Sequence, residues 1–96
     1  MTQNNAIGID YSDQRLRVLV EEYITHQHGT FSLQGACAYV LFWAMEDGHT
    51  LPVAGALYQS DKLSPADCQR VGAVLQKIVQ EGRIAADGAQ FKKLTN

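Results

Sequence analysis

Residues 64–94 read Ser64-Pro65-Ala66-Asp67-Cys68-Gln69-Arg70-Val71-Gly72-Ala73-Val74-Leu75-Gln76-Lys77-Ile78-Val79-Gln80-Glu81-Gly82-Arg83-Ile84-Ala85-Ala86-Asp87-Gly88-Ala89-Gln90-Phe91-Lys92-Lys93-Leu94. Ser64 is an N-cap, Pro65 suits the first helical position, Asp67 completes a capping-box-like Ser-x-x-Asp, and Gly82 follows the last apolar position, so the spacing predicts a helix over 64–81. Val71, Val74, Leu75 and Ile78 fall on one face, with Gln69, Ala73, Gln76 and Gln80 opposite and Arg70 and Lys77 flanking them. Asp87-Gly88 between two short stretches is a hairpin signal, because a type I′ turn needs positive φ at both central positions. That turn sets Ile84 opposite Phe91 and Arg83 opposite Lys92, with Ile84 and Phe91 on the core face and Arg83, Gln90 and Lys92 wet.

Working back, residues 33–47 are apolar on nearly every side, which is the mark of a central or partnered helix. Tyr39, Phe42 and Trp43 have two readings: the largest share of the core, or an exposed patch that meets a partner. Gly48 stops this helix, Leu51 to Gln59 reads as a two-turn helix with Pro52 near its start, and 60–63 is a turn. Upstream, Leu16, Leu19, Val20, Tyr23 and Ile24 recur at helical spacing behind Ser12 and predict a helix over 12–27; Thr30-Phe31-Ser32 is either a very short strand or a linker. Residues 1–11 are expected to be a flexible tail and 12–96 one domain, since 96 residues are too few for two cores. The expected class is α+β, mostly helical, with three or four helices and a C-terminal β-hairpin.

The order of elements over 33–94, and the run Val71 to Ile84 followed by Asp87-Gly88 and Phe91-Lys92-Lys93-Leu94, resembles the winged helix-turn-helix superfamily. The resemblance implies 33–47 as the first of three helices, 64–81 as the recognition helix and 83–94 as the wing. It also implies that the 12–27 helix is an addition of the kind that often mediates dimerisation. On it rests the expectation of a small DNA-binding transcriptional regulator, acting on double-stranded DNA as a homodimer. The alternative is a winged-helix protein-protein interaction module or adaptor without nucleic-acid binding, because a fold does not settle function.

Net charge is −2, but unevenly spread: residues 1–50 carry two bases and six acids, a sum of −4, and 51–96 carry six bases and four acids, a sum of +2. An anionic partner would meet the C-terminal end first. Gln69, Ala73 and Gln76, with Arg70, have the chemistry to read base edges; Lys77, Arg83, Lys92 and Lys93 have the charge to neutralise phosphates, and Gln90 shares the wing's wet face. The same residue types also populate any solvated helix face.

No metal or cofactor is expected. His26 and His28 flank one residue at a helix end and diverge, His49 stands apart, and Cys37 and Cys68 form no Cys-x-x-Cys pair, so both thiols read as small apolar groups. Glu21-Glu22 and Glu46-Asp47 are adjacent on helices and point apart, and no phosphate-binding glycine loop is present; the expectation is not an enzyme. The longest apolar run, 36–45, is half the length of a membrane span, and the first residues lack a secretory signal, which makes the cytoplasm the expected compartment.

Overall fold

A computed structural model describes residues 6–51 and 62–94. Over these residues the chain is α+β, in the order β1 (Ala6–Ile9), α1 (Asp13–Thr25), β2 (Thr30–Ser32), α2 (Leu33–Asp47), β3 (Thr50–Leu51), β4 (Lys62–Leu63), α3 (Pro65–Gln80), β5 (Ile84–Asp87) and β6 (Gln90–Lys93). Each helix begins where a serine satisfies a free backbone N–H. The Oγ of Ser12 accepts from Arg15 N–H at 3.1 Å, that of Ser32 from Gly35 N–H at 3.0 Å, and that of Ser64 from Asp67 N–H at 3.3 Å.

The apolar faces of the three helices close on one another. Leu16, Leu19, Val20 and Ile24 of α1, Ala36, Cys37, Val40, Leu41 and Ala44 of α2, and Val71, Leu75 and Ile78 of α3 are buried in a common core. The helix expected over 12–27 as an addition is therefore integral: α1 packs against both α2 and α3, and its apolar stripe is the shared wall between them.

Two small sheets flank the helices. β2, β6 and β5 form an antiparallel sheet in the order β2-β6-β5, so Thr30 to Ser32 is a strand rather than a linker, and Phe31 faces Phe91 across it at a ring-centroid distance of 5.9 Å. β1 lies between β3, antiparallel, and β4, parallel. This corrects the expected tail over residues 6–11, for Ile7, Ile9 and Tyr11 are buried in the core, while its first five residues lie outside the described residues. Their spacing of two residues is a strand signal that a polar N-terminus masks. Thr50–Leu51 is strand β3, where a two-turn helix from Leu51 was expected, because its partner is β1. The remainder of that expected helix, 52–59, lies outside the described residues. Lys62–Leu63, expected as part of a turn, is strand β4.

The hairpin forms with its register two residues from expectation. Ile84 opposes Lys93, Ala86 opposes Phe91 and Asp87 opposes Gln90, leaving Gly88 and Ala89 as the loop. Among the described residues no non-glycine has positive φ, so Asp87 is not a type I′ turn residue; Gly88, at φ 64°, takes the first loop position, as in a Gly-X type II′ turn. A slip of two preserves the faces. Ile84 remains buried and Phe91 half-buried beside it, while Ala86, Asp87, Gln90 and Lys92 are exposed.

Candidate functional site

Gln69, Ala73, Gln76 and Gln80 line one exposed side of α3, as the periodicity predicts. Arg70 does not stand outward with them. Its Nη1 donates to Asp67 Oδ1 at 3.1 Å, and its Nη2 donates to Asp13 Oδ1 at 3.0 Å and to the Tyr11 carbonyl at 2.6 Å. Burial works against the guanidinium charge, but the bonds to Asp13 and Asp67 outweigh it and hold the pKa above its ordinary value.

Asp67 is the centre of this clamp. Only 8% exposed, it accepts from Ile9 N–H at 3.2 Å and from the Ser64 hydroxyl at 2.6 Å, both through Oδ2, while Oδ1 takes Arg70. A side chain that sequence alone places in a local capping box thus also fastens β1 to the start of α3, 58 residues away.

The other cations of the C-terminal end are divided. Arg83 pairs with Glu21 at 3.1 Å, and Arg17 bridges Glu21 at 2.7 Å and also Glu81. This ties α1 to the end of α3 and the start of β5. Lys93 donates to the Thr25 carbonyl at 3.3 Å. Lys92 and Lys93, successive on a strand, leave opposite faces of the sheet and do not act as one patch. Lys77 and Lys92 are exposed and have no ion pair with the described residues. The hairpin tip, Asp87-Gly88-Ala89-Gln90, carries no base.

The Arg17 hydrogen bond, opposed by burial and helped by Arg83, lowers the Glu21 pKa below the ordinary carboxylate value. A group whose pKa is lower folded than unfolded stabilises fully above its unfolded pKa, about 4.3 for Glu. That contribution disappears as pH falls through the folded value. Urea unfolding at pH 6 and pH 3 should therefore show part of the acid-induced loss in the wild type missing from Glu21→Gln; equal losses in both proteins would assign Glu21 no part in it.

Between α1 and α3 runs an open groove of about 510 Å³, lined by the apolar Val18, Ala73 and Val74 and by the charged Asp13, Arg17, Arg70 and Lys77. Three of the expected DNA-contacting residues, Arg70, Ala73 and Lys77, thus border α1, whereas Gln69 and Gln76 are absent from this lining.

Among the described residues the largest exposed apolar side chains lie on α2. Phe42 is 54% exposed, Met45 50% and Trp43 37%, with Ala38 exposed one turn before Phe42. The Phe42 and Trp43 rings meet edge-on at 5.4 Å and Tyr39 stands 6.4 Å from Trp43, so the aromatics form a ladder that begins half-buried at Tyr39 and ends in solvent. Of the two readings of these aromatics, the patch accounts for Phe42 and for the exposed third of Trp43, while Tyr39 and the larger part of Trp43 are covered. The core side of α2 is instead lined by small and aliphatic residues. A helix apolar all round has one side more than its own domain covers.

Among the described residues no three His, Cys, Asp or Glu side chains cluster as a metal site would require, and no helix is long and apolar enough to cross a membrane. Cys37 is buried against Cys68, and that burial, with the Cys68 hydrogen bond, pushes its thiol up to about 12, far from the thiolate a nucleophile needs. No family model matches the chain, and no curated protein or solved structure matches it either.

Proposed function

We propose that this chain is a winged-helix protein-interaction module whose docking surface is the outer face of α2. The order α1, β2, α2, α3, β5, β6 and the sheet order β2-β6-β5 support a winged-helix arrangement, with α1 rather than α2 as its first helix, α3 as its third and β5–β6 as its wing. The observation that carries the functional reading is the exposure of Phe42 on α2, with Met45 one turn on and Trp43 edge-on at its flank. Aromatic and methionine side chains are enriched at the centres of protein interfaces, where each removes a large apolar area from water. Incorporation of a photo-cross-linking phenylalanine analogue at position 42 should capture a protein in cells, whereas the same group at exposed Gln76 should not. Capture at Gln76 and none at position 42 would refute the assignment.

The second reading, a DNA-binding regulator, draws on the exposed row Gln69, Ala73 and Gln76, whose amides suit adenine edges. It is the weaker of the two because Arg70 and Arg83 are already neutralised by acids and the wing tip lacks a cation. With Lys77 and Lys92 as the cations of the expected contact set whose side chains bond to no other described residue, duplex binding measured by fluorescence anisotropy should be weak and lost at physiological salt. Tight binding that depends on Gln69 and Gln76 would reverse this ranking.

A further inference from the structure

Resting on α2 as an interaction face, we infer that the face docks a second copy of this chain, with the two α2 helices antiparallel about a two-fold axis between Ala38 and Phe42. Two features of the helix favour that occupant, and the area available sets how tightly it binds. The first is a gradient of size. Along the exposed strip the small Ala38 and the polar Gln34 lie toward the N-terminus, and the bulky Phe42 and Met45 toward the C-terminus. Parallel pairing would set Phe42 on Phe42 and leave a gap at Ala38. Antiparallel pairing seats each Phe42 over the partner helix's small position, so one surface is complementary to itself, as an isologous contact must be.

The second is charge. Glu46 and Asp47 occupy the last turn of α2, where the helix's own dipole disfavours acids, and no acid occupies the first turn. In an antiparallel pair Glu46 of each copy comes beside the partner helix's N-terminus, near Gln34, so an unfavourable placement in the single chain becomes a favourable one in the pair.

Area sets the affinity. A helix of 15 residues is roughly 22 Å long at 1.5 Å per residue. One such helix laid on another falls short of the about 1,200 Å² at which stable complexes begin. The pair is thus a weak, reversible dimer with a micromolar dissociation constant, which fits a face that remains compatible with water in the single chain.

Sedimentation velocity of the full chain from low to several hundred micromolar tests this. The wild type should pass from monomer to dimer. Phe42→Ala, which leaves a void, and Ala38→Phe, which sets Phe on Phe, should each weaken dimerisation about tenfold or more. The double swap Ala38→Phe with Phe42→Ala again pairs one ring with one methyl at each contact, and should recover the dimer to within a few-fold. Glu46→Lys, exposed and remote from the core, should weaken it most at low salt. A wild-type chain that stays monomeric throughout, or a double swap no better than the single variants, overturns the proposal. A monomer that still captures another protein at position 42 overturns self-pairing while leaving the interaction face standing; a monomer that captures nothing there removes both.

Discussion

Replacement of Asp67 by alanine should cost about 3 kcal/mol of stability and lower the melting temperature by roughly 15 °C for a domain of this size. The carboxylate is buried and accepts from three donors at once: the Ile9 backbone N–H, the Ser64 hydroxyl and the Arg70 guanidinium. Alanine leaves the Ile9 N–H orphaned in a site closed to water and removes one of the two acids that hold Arg70. Asp67→Asn retains an oxygen for Ile9 or Ser64 but not the charge, and should cost about half as much. Thermal and urea unfolding give the magnitudes. Hydrogen exchange locates the effect, since the Ile9 amide should lose protection before those of Val71 or Leu75 in α3. A variant within about 1 kcal/mol of the wild type would show that the clamp contributes little.

Gly35→Ala should destabilise the protein by about 1–2 kcal/mol, although the same exchange in an open helix stabilises by up to about 1 kcal/mol. A Cβ at position 35 would collide with the Tyr23 hydroxyl oxygen and lie 3.1 Å from Tyr23 Cζ. The ring has little room to retreat: Phe31 stands edge-on to it at 5.8 Å and Tyr39 at 5.6 Å. Gly35 is thus the close approach that lets α1 and α2 pack. Combining Gly35→Ala with Tyr23→Phe, which deletes the obstructing oxygen, should recover part of the loss in urea unfolding. A Gly35→Ala protein more stable than the wild type would mean that Tyr23 moves aside freely.

What could be read in advance was local. Ser12, Ser64, Pro65 and Gly82 punctuate their helices by short-range hydrogen bonding and backbone geometry, and the structure starts or ends helices beside each of them. The faces of the hairpin were equally accessible, because a slip of two residues does not change which side Ile84 and Phe91 occupy. What escaped depends on partners distant in sequence. Strand β1 is four residues long and finds its neighbours more than 40 positions away, so only the Ile7-x-Ile9-x-Tyr11 alternation announces it. Arg70 looks outward on a helical projection because nothing in its own helix reveals that Asp13 and the Tyr11 carbonyl lie alongside. The same limit applies to α2. A helix apolar on all sides does not declare which side its own domain covers, and the placement of α1 and α3 against Ala36, Val40 and Ala44 is what leaves Phe42 outside.

The most direct test of the central claim, that the outer face of α2 serves association rather than folding, is equilibrium urea unfolding of Phe42→Ala at a protein concentration low enough to keep the chain monomeric. Because the residue is more than half exposed, the variant should unfold within about 0.5 kcal/mol of the wild type. A loss of about 3 kcal/mol or more, the range for a phenylalanine enclosed in a core, would place Phe42 inside the fold and contradict the claim.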